Sequence, residues 1–165
     1  MSKLDFEIRP FTETDLPTLQ EVRKAAFAPV FQSFRSIMGK DIARFAYADA
    51  EIDQGAHLDE MCRQGSDHKV YVATVASQVV GFCGYTANLG SKVGEVGLNA
   101  VHPDLAGAGI GTAMYSYVLA KMKKEGMAVA TVSTGLDPSH EPARRAYYKA
   151  GFERGIPSIW LLKKL

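Results

Sequence analysis

Polarity alternates near the start of the chain. Leu4, Phe6 and Ile8 fall on every second position, which predicts a strand over residues 4–8 ended by Pro10. The period then lengthens. Leu16, Leu19, Val22, Ala26 and Phe27 recur at helical spacing, so a helix should open at Thr14 or Asp15, and Pro29 should break it. Residues 30–67 are less regular. Phe31, Phe34, Ile37 and Met38 suggest a second apolar helical piece, residues 42–50 another and residues 57–64 a third. From residue 69 the period of two returns. A strand over residues 69–76 turns at Ser77 and Gln78, a second runs back over residues 79–88, and Leu89, Gly90 and Ser91 turn the chain into a third over residues 93–101.

That meander runs straight into a glycine-rich segment and then a helix. Ile110, Ala113, Met114, Tyr117 and Val118 mark its buried face, and Gly126 ends it. Residues 127–133 read as a buried strand parallel to residues 93–101, which closes a strand-helix-strand unit. A last helix is capped by Ser139, carries Pro142 in its first turn and closes at Gly151. Short strands are expected over residues 152–154 and 158–162.

Chemistry concentrates between Val101 and Met114. Pro103 ends the strand, and Gly107, Gly109 and Gly111 alternate where the helical period begins. Alternate glycines let backbone N–H groups converge on one concavity with no Cβ in the way. The helix start adds unpaired N–H groups and the positive end of its dipole, so a phosphate-bearing ligand can be held without a basic side chain. A phosphate-binding P-loop would need Lys then Ser or Thr after the last Gly, whereas Thr112 follows Gly111 directly. The dinucleotide fingerprint needs a Gly where Thr112 stands, and a tighter turn from its strand. Taken alone, the glycines also fit a turn that is merely relaxed.

Ala100, Val101, His102, Pro103, Asp104, Leu105, Ala106, Gly107, Ala108, Gly109, Ile110 and Gly111 resemble the coenzyme A-binding loop of the GCN5-related N-acetyltransferase (GNAT) family. That loop reads x-P-x-x-R-G-x-G-x-G after a strand ending in a small residue and Val. Ala106 stands where the family usually carries Arg or Gln. Residues 139–152 resemble the family's later helix, N-x-x-A-x-x-x-Y-x-K-x-G-F, with Ala143, Tyr147, Lys149, Gly151 and Phe152 in register and His140 where Asn is common. The two motifs stand in the right order with a strand between them, and that pairing is far more specific than either alone.

The resemblance implies one N-acetyltransferase domain over residues 1–165, with an α/β (α+β) fold. A mixed, mostly antiparallel central sheet with a splayed parallel strand pair would be flanked by helices on both faces. Acetyl-CoA would be the co-substrate, bound by residues 93–152, and residues 28–68 would wall the acceptor. Its pantetheine arm would pair with the backbone of Asn99, Ala100 and Val101 like an added strand. Its diphosphate would lie on Ala106, Gly107, Ala108, Gly109, Ile110, Gly111 and Thr112, with His140 in the place of the family's cofactor-binding Asn. Tyr147 would protonate the leaving sulfur, and Tyr148, about 100° round the helix, is the poorer donor. Glu95 is the candidate base, desolvated inside an apolar strand and on one side with Gly97, Asn99 and Val101 unless a bulge intervenes. Gly97 itself would mark a bulge or a close approach.

Composition narrows the partners. The chain has 165 residues, 47% hydrophobic and 22% charged, with net charge +1 and no basic cluster beyond Lys121, Lys123 and Lys124. That suits a soluble globular enzyme of the cytoplasm rather than a nucleic-acid or membrane binder. Cys62 and Cys83 are far apart and His57, His68, His102 and His140 are scattered, so neither a disulfide framework nor a metal site is expected. The leading expectation is acetyl transfer to a small-molecule primary amine, in a monomer or a homodimer. A protein N-terminus or lysine as acceptor, and a non-catalytic acyl-CoA sensor, are the alternatives.

Overall fold

Five strands form a single sheet in the order β1 (Glu7–Pro10), β2 (Lys69–Val75), β3 (Gln78–Asn88), β4 (Val93–Val101) and β5 (Val129–Val132), in a computed structural model that describes residues 4–165. All neighbours are antiparallel except β4 and β5, which run parallel. Helices α1 (Leu16–Met38), α2 (Lys40–Ala46) and α3 (Ala50–Cys62) precede β2, while α4 (Ile110–Lys124) joins β4 to β5 and α5 (Glu141–Lys149) follows. Residues 1–3, which lead into the expected first strand, lie outside the described residues.

Each face of the sheet carries its own core, because each strand presents alternate side chains to opposite sides. Val70, Val72, Phe82 and Ala100 pack against Leu19 and Val22 of α1 and Leu58 and Met61 of α3. On the other face Ala73, Cys83, Tyr85 and Val96 meet Ile110, Met114, Tyr115, Val118 and Met122 of α4 and Tyr147 of α5. Tyr117, expected on this face from its period, packs half-buried against the same core, and Tyr115 joins the buried stripe beside it.

Several expected boundaries move. Helix α1 runs through Pro29 rather than ending there. A proline inside a helix costs about 3 kcal/mol, but Pro29 is exposed and Leu19, Val22 and Phe31 are buried on both sides of it, so packing carries the helix across. It stops at Gly39, whose φ of +73° is left-handed. The three apolar pieces read over residues 30–64 become the end of α1, then α2 and α3. The first turn of the meander sits at Ala76 and Ser77, with φ of +47° and +66°, one residue earlier than the sequence suggested.

The strand expected over residues 127–133 shortens to Val129–Val132, and its residues alternate between exposed and half-buried rather than being buried. The strands expected over residues 152–154 and 158–162 are absent. Pro157 has no N–H to give, and past Gly155 the run Ile159, Trp160, Leu161 and Leu162 does not alternate, so no strand period directs pairing. The tail instead crosses the surface to α2, where Lys164 Nζ meets Asp41 Oδ2 at 2.9 Å.

One irregularity positions the site. The β3–β4 register runs Cys83 to Asn99 but Tyr85 to Val96, so Gly97 and Leu98 together oppose Gly84. This β-bulge adds one residue to β4 and resets which face each later side chain takes.

Candidate active site

Strands β4 and β5 are paired only from Val93–Val129 to Val96–Val132. Beyond Val96 the two diverge, and the backbone of residues 97–101 has β3 on one side and no strand on the other. This open edge leads to the glycine loop. A 3-10 turn, Pro103–Leu105, begins it, with Leu105 N–H donating to His102 O at 3.0 Å and Ala106 N–H to Pro103 O at 2.9 Å. Ala108 N–H donates to Leu105 O at 3.2 Å. The amides of Gly107, Gly109, Ile110, Gly111 and Thr112 have no acceptor among the described residues, and the first turn of α4 begins only with Ala113 N–H on Gly109 O.

Five donors therefore converge on solvent at a helix N-terminus, with no partner inside the fold. Gly107 and Gly109 sit at φ +82° and +85°, and a Cβ on either would meet nothing within 4 Å, so the concavity is open. Of the seven loop amides expected to bind phosphate, those of Ala106 and Ala108 are used in shaping the loop. The other five are available.

Tyr147 lies beside the divergence. Its hydroxyl accepts a hydrogen bond from Asn99 Nδ2 at 3.1 Å, while Asn99 also donates to Gly97 O at 2.8 Å and accepts from Tyr115 OH at 2.7 Å. The bulge thus supplies the carbonyl that fixes Asn99, and Asn99 fixes Tyr147. The rings of Tyr115 and Phe152 pack on Tyr147 at 4.6 Å and 5.8 Å. Burial raises the Tyr147 pKa above the ordinary phenol value, against the lowering hydrogen bonds from Asn99 and Tyr115. Burial also pushes the Cys83 thiol, paired in register with Asn99, up to about 12. Tyr148 is 66% exposed and away from this network.

A second polar hub lies just before α5. Asp137 caps the 3-10 turn Pro138–His140 by accepting from Ser139 N–H at 3.1 Å, takes a bond from Ser33 Oγ of α1 at 2.9 Å, and holds His140 Nδ1 at 2.5 Å. Burial works to raise the Asp137 pKa, but the bonds from Ser139, Ser33 and His140 outweigh it and hold the carboxyl at about 2. Asp137, not Ser139, is therefore the side chain that caps this end. Arg144 Nη1 adds bonds to Gly135 O and Asp137 O. The His140 ring lies 5.5 Å from Phe34, so the hub ties the start of α5 to α1.

The sequence of residues 33–152 matches the model of the acetyltransferase (GNAT) family. The chain belongs to the GNAT acetyltransferase family. No curated protein matches it. Solved structures share the fold. The PaiA N-acetyltransferase of Thermoplasma acidophilum in complex with coenzyme A is 21% identical at a TM-score of 0.69, covering 90% of both chains. The ribosomal-protein-S18-alanine N-acetyltransferase of Escherichia coli is 18% identical at 0.64, covering 92% of this chain and 80% of that one. An aminoglycoside acetyltransferase from an uncultured soil metagenomic sample, in complex with trehalose, is 21% identical at 0.60, covering 96% and 97%.

As a GNAT acetyltransferase the chain transfers acetyl from acetyl-CoA, and the five free amides fit the diphosphate of that co-substrate. Asn99 and Tyr147 are brought together by a hydrogen bond on the α4 side of the sheet, where Val101 also packs, whereas Ala100 turns its side chain into the α1/α3 core and His140 contacts Asp137, Ser139 and Phe34. Glu95 is elsewhere. Because Val96 packs on the α4 face, Glu95 points to the α1/α3 face, and the bulge places Asn99 opposite to it rather than beside it. Glu95 is also exposed, so the desolvation expected of an apolar strand is missing. Sequence reasoning did not find Asp137, Tyr115 or Ser33. The first was signalled, since Asp followed by Pro is a strong helix-start pair. The others became visible only when distant segments met.

Proposed function

We propose that the protein acetylates the primary amine of a small molecule by direct attack within a ternary complex. The carrying observation is an Asn99-bound Tyr147 hydroxyl beside the open edge of β4, together with five unpaired amides in the loop to which that edge leads. Residues 93–152 act as the cofactor half, in a chain that works as one domain. The pantetheine arm pairs with the free edge of Asn99–Val101, and His140, held through Nδ1, offers Nε2 to the arm. Tyr147 gives its proton to the departing sulfur. Burial keeps the phenol protonated through the neutral range, and the Asn99 amide supports the phenolate for the moment it forms.

Residues 28–68 form the acceptor wall. Phe31 and Phe34 each lie 5.8 Å from Tyr47, and the Arg35 guanidinium stands 5.9 Å over the Tyr47 ring and pairs with Glu51 at 2.5 Å. That aromatic block favours a closed pocket for a compact amine over an open groove for a polypeptide. Exposed Glu95 meets the incoming ammonium on the α1/α3 face. The test is CoA release from acetyl-CoA across three acceptor sets: diamines, aminoglycosides and peptides with a free N-terminal alanine. Turnover of peptides alone would refute the small-molecule reading, and saturable acetyl-CoA binding without release for every amine would establish a sensor.

The homodimer rests on the tail. Ile156, Ile159, Trp160 and Leu161 are 97%, 81%, 60% and 78% exposed, an apolar run that calls for cover by a second copy. Trp160 is the single tryptophan of the chain, so its emission reports that cover directly. The emission should shift to the blue as concentration rises while the sedimenting mass doubles. A red emission and a monomer mass at every concentration would refute it.

A further inference from the structure

We propose that the imidazole of His68, seated over the bulge at Gly97 beside Thr86 and Glu95, accepts the proton that the acceptor ammonium must lose. The inference rests on the acetyl-transfer reading above and names the base within it.

Register places these groups. Thr86 pairs with Glu95, and Glu95 pairs with Thr131, so the three side chains share one face across β3, β4 and β5. It is the α1/α3 face, because the neighbouring Val96 lies in the opposite core. His68 stands one residue before β2, next to the Lys69–Tyr85 pair, and reaches the same face. A Cβ built on Gly97 would lie 3.8 Å from His68 Cδ2 and 3.8 Å from Met61 Cε. A ring atom of His68 thus covers the residue at which β4 parts from β5. The bulge carries Tyr147 on one face of β4, through Asn99, and the imidazole on the other. An acid and a base on opposite sides of the thioester position is what transfer to an ammonium requires.

The ring is held for this work. Ser66 Oγ lies 3.2 Å from Nδ1, and among the described residues no protein group bonds Nε2. The groups that face it are His57 and Glu60 from α3, neighbouring Asp67 and, from β4, Glu95. The His57 ring meets it edge-on at 5.9 Å. Burial and then His57 lower the His68 pKa, while Asp67, Glu60 and Glu95 oppose that shift, so the imidazole is neutral and ready as a base at neutral pH.

The step balances. The ammonium N–H bond breaks and its proton passes to Nε2. The freed nitrogen pair forms the bond to the thioester carbonyl carbon, the C–S bond breaks, and the sulfur keeps that pair and takes the Tyr147 proton. The second proton leaving nitrogen restores Tyr147 through solvent, and His68 returns its own to water.

The experiment measures CoA release against pH for the wild type, His68→Gln and Ser66→Ala, using the amine that the wild type turns over fastest. Wild-type kcat/KM should rise with pH and level off below the ordinary histidine value. His68→Gln should fall about 10²-fold near neutrality, lose that plateau and keep its acetyl-CoA affinity by calorimetry. Ser66→Ala keeps the imidazole, so it should lose less and move the plateau; it also reads the site if His68→Gln fails to fold. A uniform loss with the profile unchanged, or no loss, overturns the assignment to His68 while leaving the enzyme reading intact. A wild type that binds acetyl-CoA and acetylates no amine overturns the catalytic reading and this one with it.

Discussion

Replacing Tyr147 by Phe removes one oxygen from a network whose other members stay satisfied. Asn99 Nδ2 keeps Gly97 O at 2.8 Å, and Asn99 Oδ1 keeps the Tyr115 hydroxyl at 2.7 Å. The ring keeps its contacts with Tyr115 and Phe152. No buried polar atom is orphaned, so the folding cost is that of one net hydrogen bond, about 0.5–1 kcal/mol. The loop amides that hold the diphosphate are untouched, and acetyl-CoA affinity should change less than about twofold. Turnover should respond differently. Loss of a positioned acid is worth about 10²-fold, or roughly 2.7 kcal/mol in the barrier. The assay pairs thiol release under saturating acetyl-CoA with calorimetric titration of the cofactor and a urea melt of the same preparation. An unchanged kcat would remove Tyr147 as the acid. A kcat loss matched by equal losses of affinity and stability would make its role structural.

Three other outcomes test the fold and the loop. Gly109→Val forces a branched residue into φ +85° and fills the open concavity, so acetyl-CoA binding should fall below detection by calorimetry; normal binding would show that the loop does not carry the diphosphate. Ala106→Arg restores the side chain common in the family at an exposed position, and should tighten acetyl-CoA several-fold at low salt with the gain fading as salt rises; a gain that ignores salt would contradict an ionic contact. Asp15 is held at about 2 first by its hydrogen bond from Arg9, at 2.8 Å, with Thr12 N–H assisting. A lowered folded pKa means stability present above the unfolded value near 4 and lost as pH falls toward 2, so Asp15→Asn should cost about 1–2 kcal/mol at pH 7, allowing for the part-exposed Arg9, and close to nothing at pH 2. Equal costs at both pH values in urea melts would rule out the ion pair as the source.

The elements legible in the sequence were those whose pattern and packing agree. β4 occupies residues 93–101 as its alternation indicated, and α4 ends at Gly126, whose φ of +86° is the left-handed stop that a glycine there supplies. Pattern failed where tertiary contact outweighed a local rule. Pro29 is a strong local breaker, yet the burial of Phe31 beyond it keeps α1 helical to Met38. The tail failed for the opposite reason. Ile156 to Leu162 are apolar enough to look like a strand, but a strand exists only where its donors and acceptors pair with a neighbour, and this run, which lacks a period of two, pairs with none of the described strands.

The site divides along the same line. The open glycine loop was readable because its chemistry is local, backbone amides freed by glycine, while Tyr147 was singled out by its register in the family's helix motif. The two faces of β4 were not. Strict alternation would put Glu95 and Asn99 together, and a sequence cannot say whether one extra residue intervenes. The structure inserts it at Gly97, where the absence of a side chain lets His68 Cδ2 and Met61 Cε approach. That single residue separates the carboxylate and imidazole on one face from the Asn99–Tyr147 pair on the other. Deleting Gly97 would restore the alternation with Glu95 and Asn99 still on opposite faces, but it would remove the carbonyl that holds Asn99 Nδ2 and so loosen the Asn99–Tyr147 pair. The bulge therefore supplies both the carbonyl that fixes Asn99 beneath Tyr147 and the bare position against which the His68 ring rests.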